Sequence, residues 1–208
     1  MSQTKPNPVI VFDFGGVVFD VSATDMYRRH FSAAGRSAAE AEHFLTHIFT
    51  AESRADANYG TIGAIIDKLV QTHPAWKDEL EIYRADRDFI KMVKGTQPGM
   101  INLINDLRHK HGLRVFGLTN WAADAYDTLA RYYAPLINTF NDVVVSGRER
   151  MKKPDPKFFQ LAQECFNTAP ENIYFFDDKQ ANVDAARALG WNAFQFESAQ
   201  AVRNTLKL

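Results

Sequence analysis

The second half of the sequence alternates between amphipathic helical patterns and short, almost continuously apolar runs. Strand candidates are residues 113–119, 142–146, 173–177 and 192–196, and helices fit 99–110, 122–133, 155–166 and 180–189. One more apolar run, VIVFDF at 9–14, ends at Gly15-Gly16. Strands that are apolar throughout must be covered on both faces, as in a parallel sheet whose strands are joined by helices. The sequence therefore predicts an α/β fold with a doubly wound parallel sheet.

A long stretch between the first strand and this alternating region has only helical spacing. Apolar residues recur at helical intervals in 44–49 and 62–70, while Gly60 and His73-Pro74 break the stretch into several helices. We find no convincing strand within residues 23–92. We therefore predict a helical cap over residues 20–92, inserted after the first strand into a core made of 1–19 and 93–208.

Composition excludes several classes of protein. With 24 basic and 25 acidic side chains the net charge is −1, so the chain has no basic excess with which to bind nucleic acid. No apolar run approaches the roughly 20 residues that a membrane span needs. The single cysteine, Cys165, and the polar start MSQTKPNP suggest a cytoplasmic protein. The oligomeric state is not predicted.

Polar residues with catalytic potential follow the predicted strands. In an open parallel sheet, ligands bind beyond the carboxyl ends of the strands. Each of these residues alone could be a turn residue, a helix cap or a solvated lysine. Together they predict a site at one edge of the sheet, and they are Asp13, Thr119, Asn120, Lys153, Asp177 and Asp178.

Three carboxylates close together need positive charge to balance them. Two carboxylates about 4 Å apart repel by roughly 4 kcal/mol at an effective dielectric constant near 20. A hard divalent cation such as Mg²⁺, together with an ammonium group, offsets that repulsion. The same charges would let an anionic nucleophile approach a phosphate. The cluster therefore predicts a magnesium site next to a carboxylate nucleophile.

Four segments resemble the motifs of the haloacid dehalogenase-like (HAD-like) superfamily, in order and over the whole chain. VIVFDFGGVVFD (9–20) resembles the nucleophile motif, and LRVFGLTNW (113–121) the second motif. RMKKPDP (150–156) is similar to the third motif, and IYFFDDKQANV (173–183) to the fourth, acidic one. The combination D-x-G, L-T-N-W, K-P-D-P and F-D-D resembles a bacterial subgroup of HAD-family phosphatases, some of which act on sugar phosphates.

The resemblance implies a HAD-like Rossmannoid core and a magnesium-dependent hydrolase. Its expected reaction is hydrolysis of a small phosphorylated metabolite through an aspartyl-phosphate on Asp13. Thr119 and Lys153 would be catalytic and would also bind the substrate, together with Asn120. The implied Mg²⁺ ligands are Asp13, the backbone carbonyl of Gly15 and Asp178, with Asp177 beside them.

Gly15 departs from the family pattern. Phosphatases of the family usually have an aspartate two residues after the nucleophile, which protonates the leaving alcohol. Asp20 could replace it, but we interpret Asp20 as a residue that ends the loop. The departure leaves two alternatives open, a 2-haloacid dehalogenase, whose halide leaves without a proton, and a catalytically weak relative. A phospho-accepting receiver domain is disfavoured because its acidic pair precedes the phosphorylated aspartate and because the insertion has no place in that fold.

Two further expectations concern individual side chains. In the resemblance, an insertion after the first strand closes over the site, so Arg54, Asn58, Tyr59 and Trp121 are candidates for substrate contact. Lys153 lies in a polar loop. We therefore expect a Lys153→Ala variant to lose activity and to keep its fold, with a stability cost of no more than about 0.5 kcal/mol.

Overall fold

Five parallel strands form the central sheet of the computed structural model, which describes residues 8–208. The order across the sheet is β5-β4-β1-β6-β7, so the first strand of the chain lies in the middle. The polar start, apart from Pro8, and the first seven residues of the predicted core lie outside the described residues. The five strands are β1 (Val9–Phe12), β4 (Arg114–Thr119), β5 (Asp142–Val145), β6 (Ile173–Asp177) and β7 (Asn192–Gln195).

The register of the sheet brings three strand ends together. Phe12, the last residue of β1, pairs with Gly117 on β4 and with Phe176 on β6. Parallel strands in this register end at the same edge of the sheet. Asp13 therefore emerges between the carboxyl ends of its two neighbouring strands.

Helices cover both faces of the sheet. The side chains of β1 alternate, since Ile10 and Phe12 join one buried cluster while Val9 and Val11 join the other. This confirms the α/β fold with a parallel sheet. The core helices are α6 (Met100–Asn105), α7 (Ala123–Tyr132), α8 (Ala134–Ile137), α9 (Ser146–Glu149), α10 (Pro156–Phe166), α11 (Gln180–Ala188) and α12 (Ala199–Leu206).

The insertion after β1 is helical and packs on one face of the core. Tyr27, Phe31 and Phe44 are buried in it and belong to the same apolar cluster as Ile10 and Phe12 of the sheet. Short 3₁₀ or π-helical turns link its helices. These are α1 (Ala23–Ala33), α2 (Ala38–His43), α3 (Ala51–Asp56), α4 (Ile62–Thr72) and α5 (Lys77–Glu81).

A small antiparallel sheet, missed in the sequence, joins the insertion to the core. It pairs β2 (Phe19–Val21) with β3 (Val93–Thr96). The expectation that residues 23–92 contain no strand is confirmed, but Asp20 and Val21, the first two residues of the predicted cap, belong to β2. A strand of three residues is too short to show alternation, and its partner lies more than 70 residues away.

Hydrogen bonds and close packing hold the insertion against the core. Asp124 of α7 accepts hydrogen bonds from the N–H groups of Ile62 and Gly63, at 2.9 and 3.1 Å, and so caps α4 from the core side. Gly147 lies so close to this seam that a Cβ on it would be 2.5 Å from the carbonyl oxygen of Gly60. None of the helices within residues 8–208 has the length and apolar character needed to cross a membrane.

Candidate active site

A tight loop after β1 presents Asp13. The N–H of Asp13 still donates to the carbonyl of Phe176 at 3.0 Å, and the carbonyl of Phe14 accepts from the N–H of Phe19 at 2.8 Å. Gly16 has φ +85°, and a Cβ on it would be 2.8 Å from Oδ2 of Asp178. Glycine at position 16 therefore permits both the turn and the approach of Asp178 to the loop.

The two carboxylate oxygens of Asp13 have different surroundings. Oδ1 accepts hydrogen bonds from the N–H of Phe14 at 2.6 Å and from Nζ of Lys153 at 2.9 Å. Oδ2 has no hydrogen bond within the described residues, and Asp13 lines a cavity at the edge of the sheet. One oxygen is thus fixed, and the other is free to react.

Lys153 is buried between two aspartates. Its side chain has no exposed surface, and Nζ contacts Asp13 Oδ1, Asp177 Oδ2 at 2.7 Å and the carbonyl of Leu118 at 2.7 Å. The expectation of an exposed, structurally dispensable loop lysine is therefore wrong. Burial lowers the pKa of Lys153, but the charges of Asp13 and Asp177 outweigh it and raise the pKa above its ordinary value.

Asn120 fixes the loop that carries this lysine. Its Oδ1 accepts from the N–H of Lys153 at 2.8 Å, and its Nδ2 donates to the carbonyl of the same residue at 2.9 Å. Both ends of the amide are therefore used within the protein. The predicted contact of Asn120 with substrate stays a prediction, whereas its contact with the lysine backbone is visible.

Asp177 is saturated with hydrogen bonds. Oδ1 accepts from the N–H of Lys179 and from Nδ2 of Asn182, both at 2.9 Å, and Oδ2 accepts from Lys153. Burial alone would raise the pKa of Asp177, but Lys153 and these donors lower it. Sequence reasoning missed Asn182, although its place in the first turn of α11, five residues after Asp177, could have indicated it.

Asp178 and Thr119 each hold a buried oxygen without a partner. Within residues 8–208, Oδ1 of Asp178 and Oγ1 of Thr119 are inaccessible to solvent and form no hydrogen bond. Burial and the charge of Asp177 raise the pKa of Asp178. Buried oxygens of this kind are costly unless a ligand or ion completes them.

The acidic cluster fits a hard divalent cation. Asp13, Asp177 and Asp178 each offer a carboxylate oxygen within 4.8 Å of the others, against the single ammonium of Lys153. Burial, together with the charge of Asp177, raises the pKa of Asp13 to about 7 despite Lys153. An oxygen-only donor set with excess negative charge suits Mg²⁺.

Two adjoining cavities lie over this edge. The smaller, about 250 Å³, is lined by Asp13, Gly15, Gly16 and Asp178, whereas Thr119, Lys153 and Asp177 lie buried outside its lining. The larger, about 330 Å³, extends under the insertion. The two cavities adjoin, since both are lined by Val21, Asn120, Trp121 and Lys179.

The candidate substrate contacts, three in the insertion and Trp121 in the core, separate into two groups. Arg54, Asn58 and Trp121 line the larger cavity. Tyr59 lines neither cavity, and its ring lies 4.2 Å from the ammonium of Lys152. Asp20 lies on β2, pairs with Gly95 and lines neither cavity, so nothing in its position suggests a proton donor.

Comparison with known proteins finds one family of hydrolases and several curated phosphatases with similar sequences. A model of the haloacid dehalogenase-like hydrolases matches residues 8–190. A sesquiterpene phosphatase of Aspergillus oryzae is 31% identical over 91 residues, 44% of this chain and 45% of its own. A phosphorylated carbohydrates phosphatase of Thermotoga maritima is 25% identical over 126 residues, 61% of this chain and 46% of its own. The chain spans less than half the length of these curated relatives.

Several solved structures share the fold over nearly the whole chain. A HAD-like family hydrolase from Porphyromonas gingivalis has a TM-score of 0.71 at 21% identity, covering 97% of this chain and 98% of its own. A HAD family enzyme from Bacteroides thetaiotaomicron, in complex with magnesium and inorganic phosphate, has a TM-score of 0.67 at 18% identity, covering 92% and 95%. The L-2-haloacid dehalogenase of Xanthobacter autotrophicus, with chloropropionic acid covalently bound, has a TM-score of 0.62 at 18% identity, covering 97% and 83%.

Proposed function

Because the chain belongs to the haloacid dehalogenase-like hydrolases, we propose that it is a magnesium-dependent phosphatase of a small phosphorylated metabolite. The observation that carries the proposal is the pairing of Asp13 with the buried Lys153, which fixes one carboxylate oxygen and leaves the other toward the cavity. The phosphatases among the relatives support the reaction class. We also propose residues 20–92 as the cap that covers the substrate.

Asp13 acts as the nucleophile. Its Oδ2 forms a bond to phosphorus, the bond from phosphorus to the ester oxygen breaks, and the leaving alkoxide takes a proton from water because position 15 supplies none. Water then attacks the phosphorus of the aspartyl-phosphate, and the bond from phosphorus to Oδ2 breaks, which frees inorganic phosphate and restores the carboxylate. The proton that this water loses neutralises the hydroxide left by the first step. Splitting the reaction in this way replaces one difficult displacement by two easier ones.

Lys153 and Thr119 stabilise the charge on the transferring group. The ammonium of Lys153 contacts Asp13 and offsets the repulsion between this anionic nucleophile and the phosphate. The unpartnered hydroxyl of Thr119 is available as a donor to a phosphate oxygen. Asn120 keeps Lys153 in place through its backbone.

Magnesium would be held by Asp13, the carbonyl of Gly15 and Asp178, with Asp177 beside them. The bound ion supplies positive charge next to the phosphate and lowers the repulsion within the acidic cluster. Asp178 is the better direct ligand of the pair because its Oδ1 is free, whereas Asp177 is fully hydrogen-bonded.

Magnesium affinity is expected to fall about tenfold for each pH unit below about 7, because one proton must leave Asp13 when the ion binds. The direction of this pH dependence follows from the metal-free protein, in which the pKa of Asp13 is raised to about 7. Below that pH the carboxyl is protonated and competes with the ion, and above it the competition ends. Calorimetric titration with Mg²⁺ at about pH 6 and about pH 8 measures the slope. An affinity that does not change with pH would contradict this ligand assignment.

A Gly15→Asp variant is expected to hydrolyse alkyl phosphates faster, by about 10²-fold, since a positioned general acid contributes about 10² to 10⁴. A Cβ at position 15 would meet Val21 at 3.4 Å and Trp121 at 3.5 Å, which are ordinary contacts, so the backbone there accepts a side chain without a clash at its first atom. Steady-state rates with alkyl phosphates and with p-nitrophenyl phosphate measure the effect. The gain should be small for p-nitrophenyl phosphate, whose leaving group needs no proton.

Gly15→Asn is the matched control for this change. It has the same size as aspartate and cannot donate an acidic proton, so it should leave the rate with alkyl phosphates unimproved. Equal gains in the two variants would attribute the effect to side-chain size and would remove the acid from the explanation.

The second candidate function is 2-haloacid dehalogenation, which Gly15 favours because a halide leaves without a proton. An assay with p-nitrophenyl phosphate and with 2-chloropropionate, each with Mg²⁺ and with a chelator, separates the two. We expect phosphate release that stops with the chelator and returns with Mg²⁺. Halide release that resists the chelator would overturn the phosphatase assignment.

A further inference from the structure

The larger cavity has an apolar wall and a positive charge. Eleven of its fifteen lining residues are apolar or aromatic, and the remaining four are Arg54, Asn58, Asn120 and Lys179. Among the residues that the structure describes, no aspartate or glutamate lines it. The space next to the nucleophile is therefore lined mainly by apolar side chains and carries two cations with no carboxylate among its described lining residues.

Arg54 is the cation whose position is hardest to explain without a ligand. It is half-buried on α3, a guanidinium nitrogen donates to the carbonyl of Phe49, and the group lies 5.4 Å from the centre of the Phe49 ring. It takes part in none of the ion pairs found within residues 8–208. A guanidinium has five N–H donors, so most of them remain unused.

We propose that the substrate carries a second anionic group, a carboxylate or phosphate, which Arg54 binds in the larger cavity. The guanidinium of Arg54 is half-buried and has no counter-ion among the described residues, and an anion in the same cavity would attract its charge more strongly than in bulk water. Carboxylates and phosphates match the planar guanidinium through paired hydrogen bonds. Sugar hydroxyls would leave that charge uncompensated. This inference rests on the proposed phosphatase function.

The test compares substrates that differ only in the distal charge. These are phenyl phosphates with a para alkyl arm of increasing length that ends in a carboxylate, each paired with its uncharged methyl ester. With Mg²⁺ and the full chain, we expect kcat/KM for the carboxylate at the best arm length to exceed that of its ester by about tenfold, the order of a charge-assisted hydrogen bond.

Variants of Arg54 test whether this side chain causes the preference for the carboxylate over its methyl ester. Arg54→Met is expected to bring the ratio of kcat/KM values close to one, and Arg54→Lys to keep part of it. Arg29→Met is the matched control, because Arg29 belongs to the same insertion, is exposed, and donates to a backbone carbonyl at 3.1 Å. Dissociation constants of the same pairs, measured by calorimetry with the Asp13→Asn variant, should show the same difference without turnover.

Each outcome bears on one of the two proposals. A ratio near one at every arm length, or a ratio that survives Arg54→Met, overturns the role of Arg54 even when all the esters are hydrolysed. Absence of magnesium-dependent hydrolysis of any of the phosphates overturns the proposed function. In that case a carboxylate preference in the binding data would still assign an anion site to Arg54.

Discussion

Asp13→Asn is expected to lower kcat for phosphate ester hydrolysis by at least about 10⁴-fold, the order seen when a nucleophile is removed from an enzyme that works through a covalent intermediate. The amide cannot form the aspartyl-phosphate, so only direct attack by water remains. Stability should change little. Lys153 keeps Asp177 as its partner, and burial raises the pKa of Asp13 to about 7, so near neutral pH the amide replaces a carboxyl that is about half protonated in the metal-free protein. Initial rates and urea unfolding of parent and variant measure the two effects.

Asp20→Asn is the control for that variant. It makes the same chemical change seven residues along the chain, on β2, where the side chain lines neither cavity. Its rate should stay within about twofold of the parent, since surface substitutions away from a site rarely matter. Retention of phosphatase activity by Asp13→Asn would remove the covalent mechanism altogether.

Lys153→Met is expected to abolish measurable turnover and to destabilise the fold by about 3–5 kcal/mol, the usual cost of removing one partner of a buried ion pair. The methionine fills most of the space but leaves Asp13 and Asp177 facing each other without a cation. Urea unfolding without metal measures the loss. The double variant with Asp13→Asn should recover part of it, because one of the two repelling charges is then absent.

Lys157→Met is the matched control for the lysine. It lies four residues further on, in the first turn of α10, and it is exposed. Its stability should stay within about 0.5 kcal/mol of the parent. If Lys153→Met were equally well tolerated, the ion pairs to Asp13 and Asp177 would not contribute to stability as the structure indicates.

Much of the fold follows from local patterns in the sequence. The five strands of the sheet were recognisable because each is short, apolar and bounded by turn residues, and predicted limits differ from the observed ones by no more than two residues. Asp13 and Asp177 could be placed at one edge because parallel strands share a direction. Helix α12 was missed, since neither a motif nor a following strand drew attention to it.

The surroundings of individual side chains were less predictable. The burial of Lys153 depends on Asn120, which binds its backbone from another strand end, and nothing in the local sequence of the loop reveals that contact. The hydrogen bonds of Asn182 to Asp177 and the free oxygen of Asp178 likewise arise from tertiary packing. The family resemblance already implied that Asp178 rather than Asp177 is the direct metal ligand, but the physical reason, the free oxygen of one and the full hydrogen bonding of the other, lies in contacts between distant parts of the chain.

The central position of β1 has a consequence for the order of folding. Residues 9–12 pair with 114–117 on one side and with 173–176 on the other, so the nucleophile strand gains its neighbours only across long loops of chain. Contacts of such high sequence separation form slowly, because loop closure must precede them. A nascent chain on the ribosome would therefore carry an inert Asp13 until residues beyond 178 had emerged. Recovery of catalysis during refolding would report completion of the sheet.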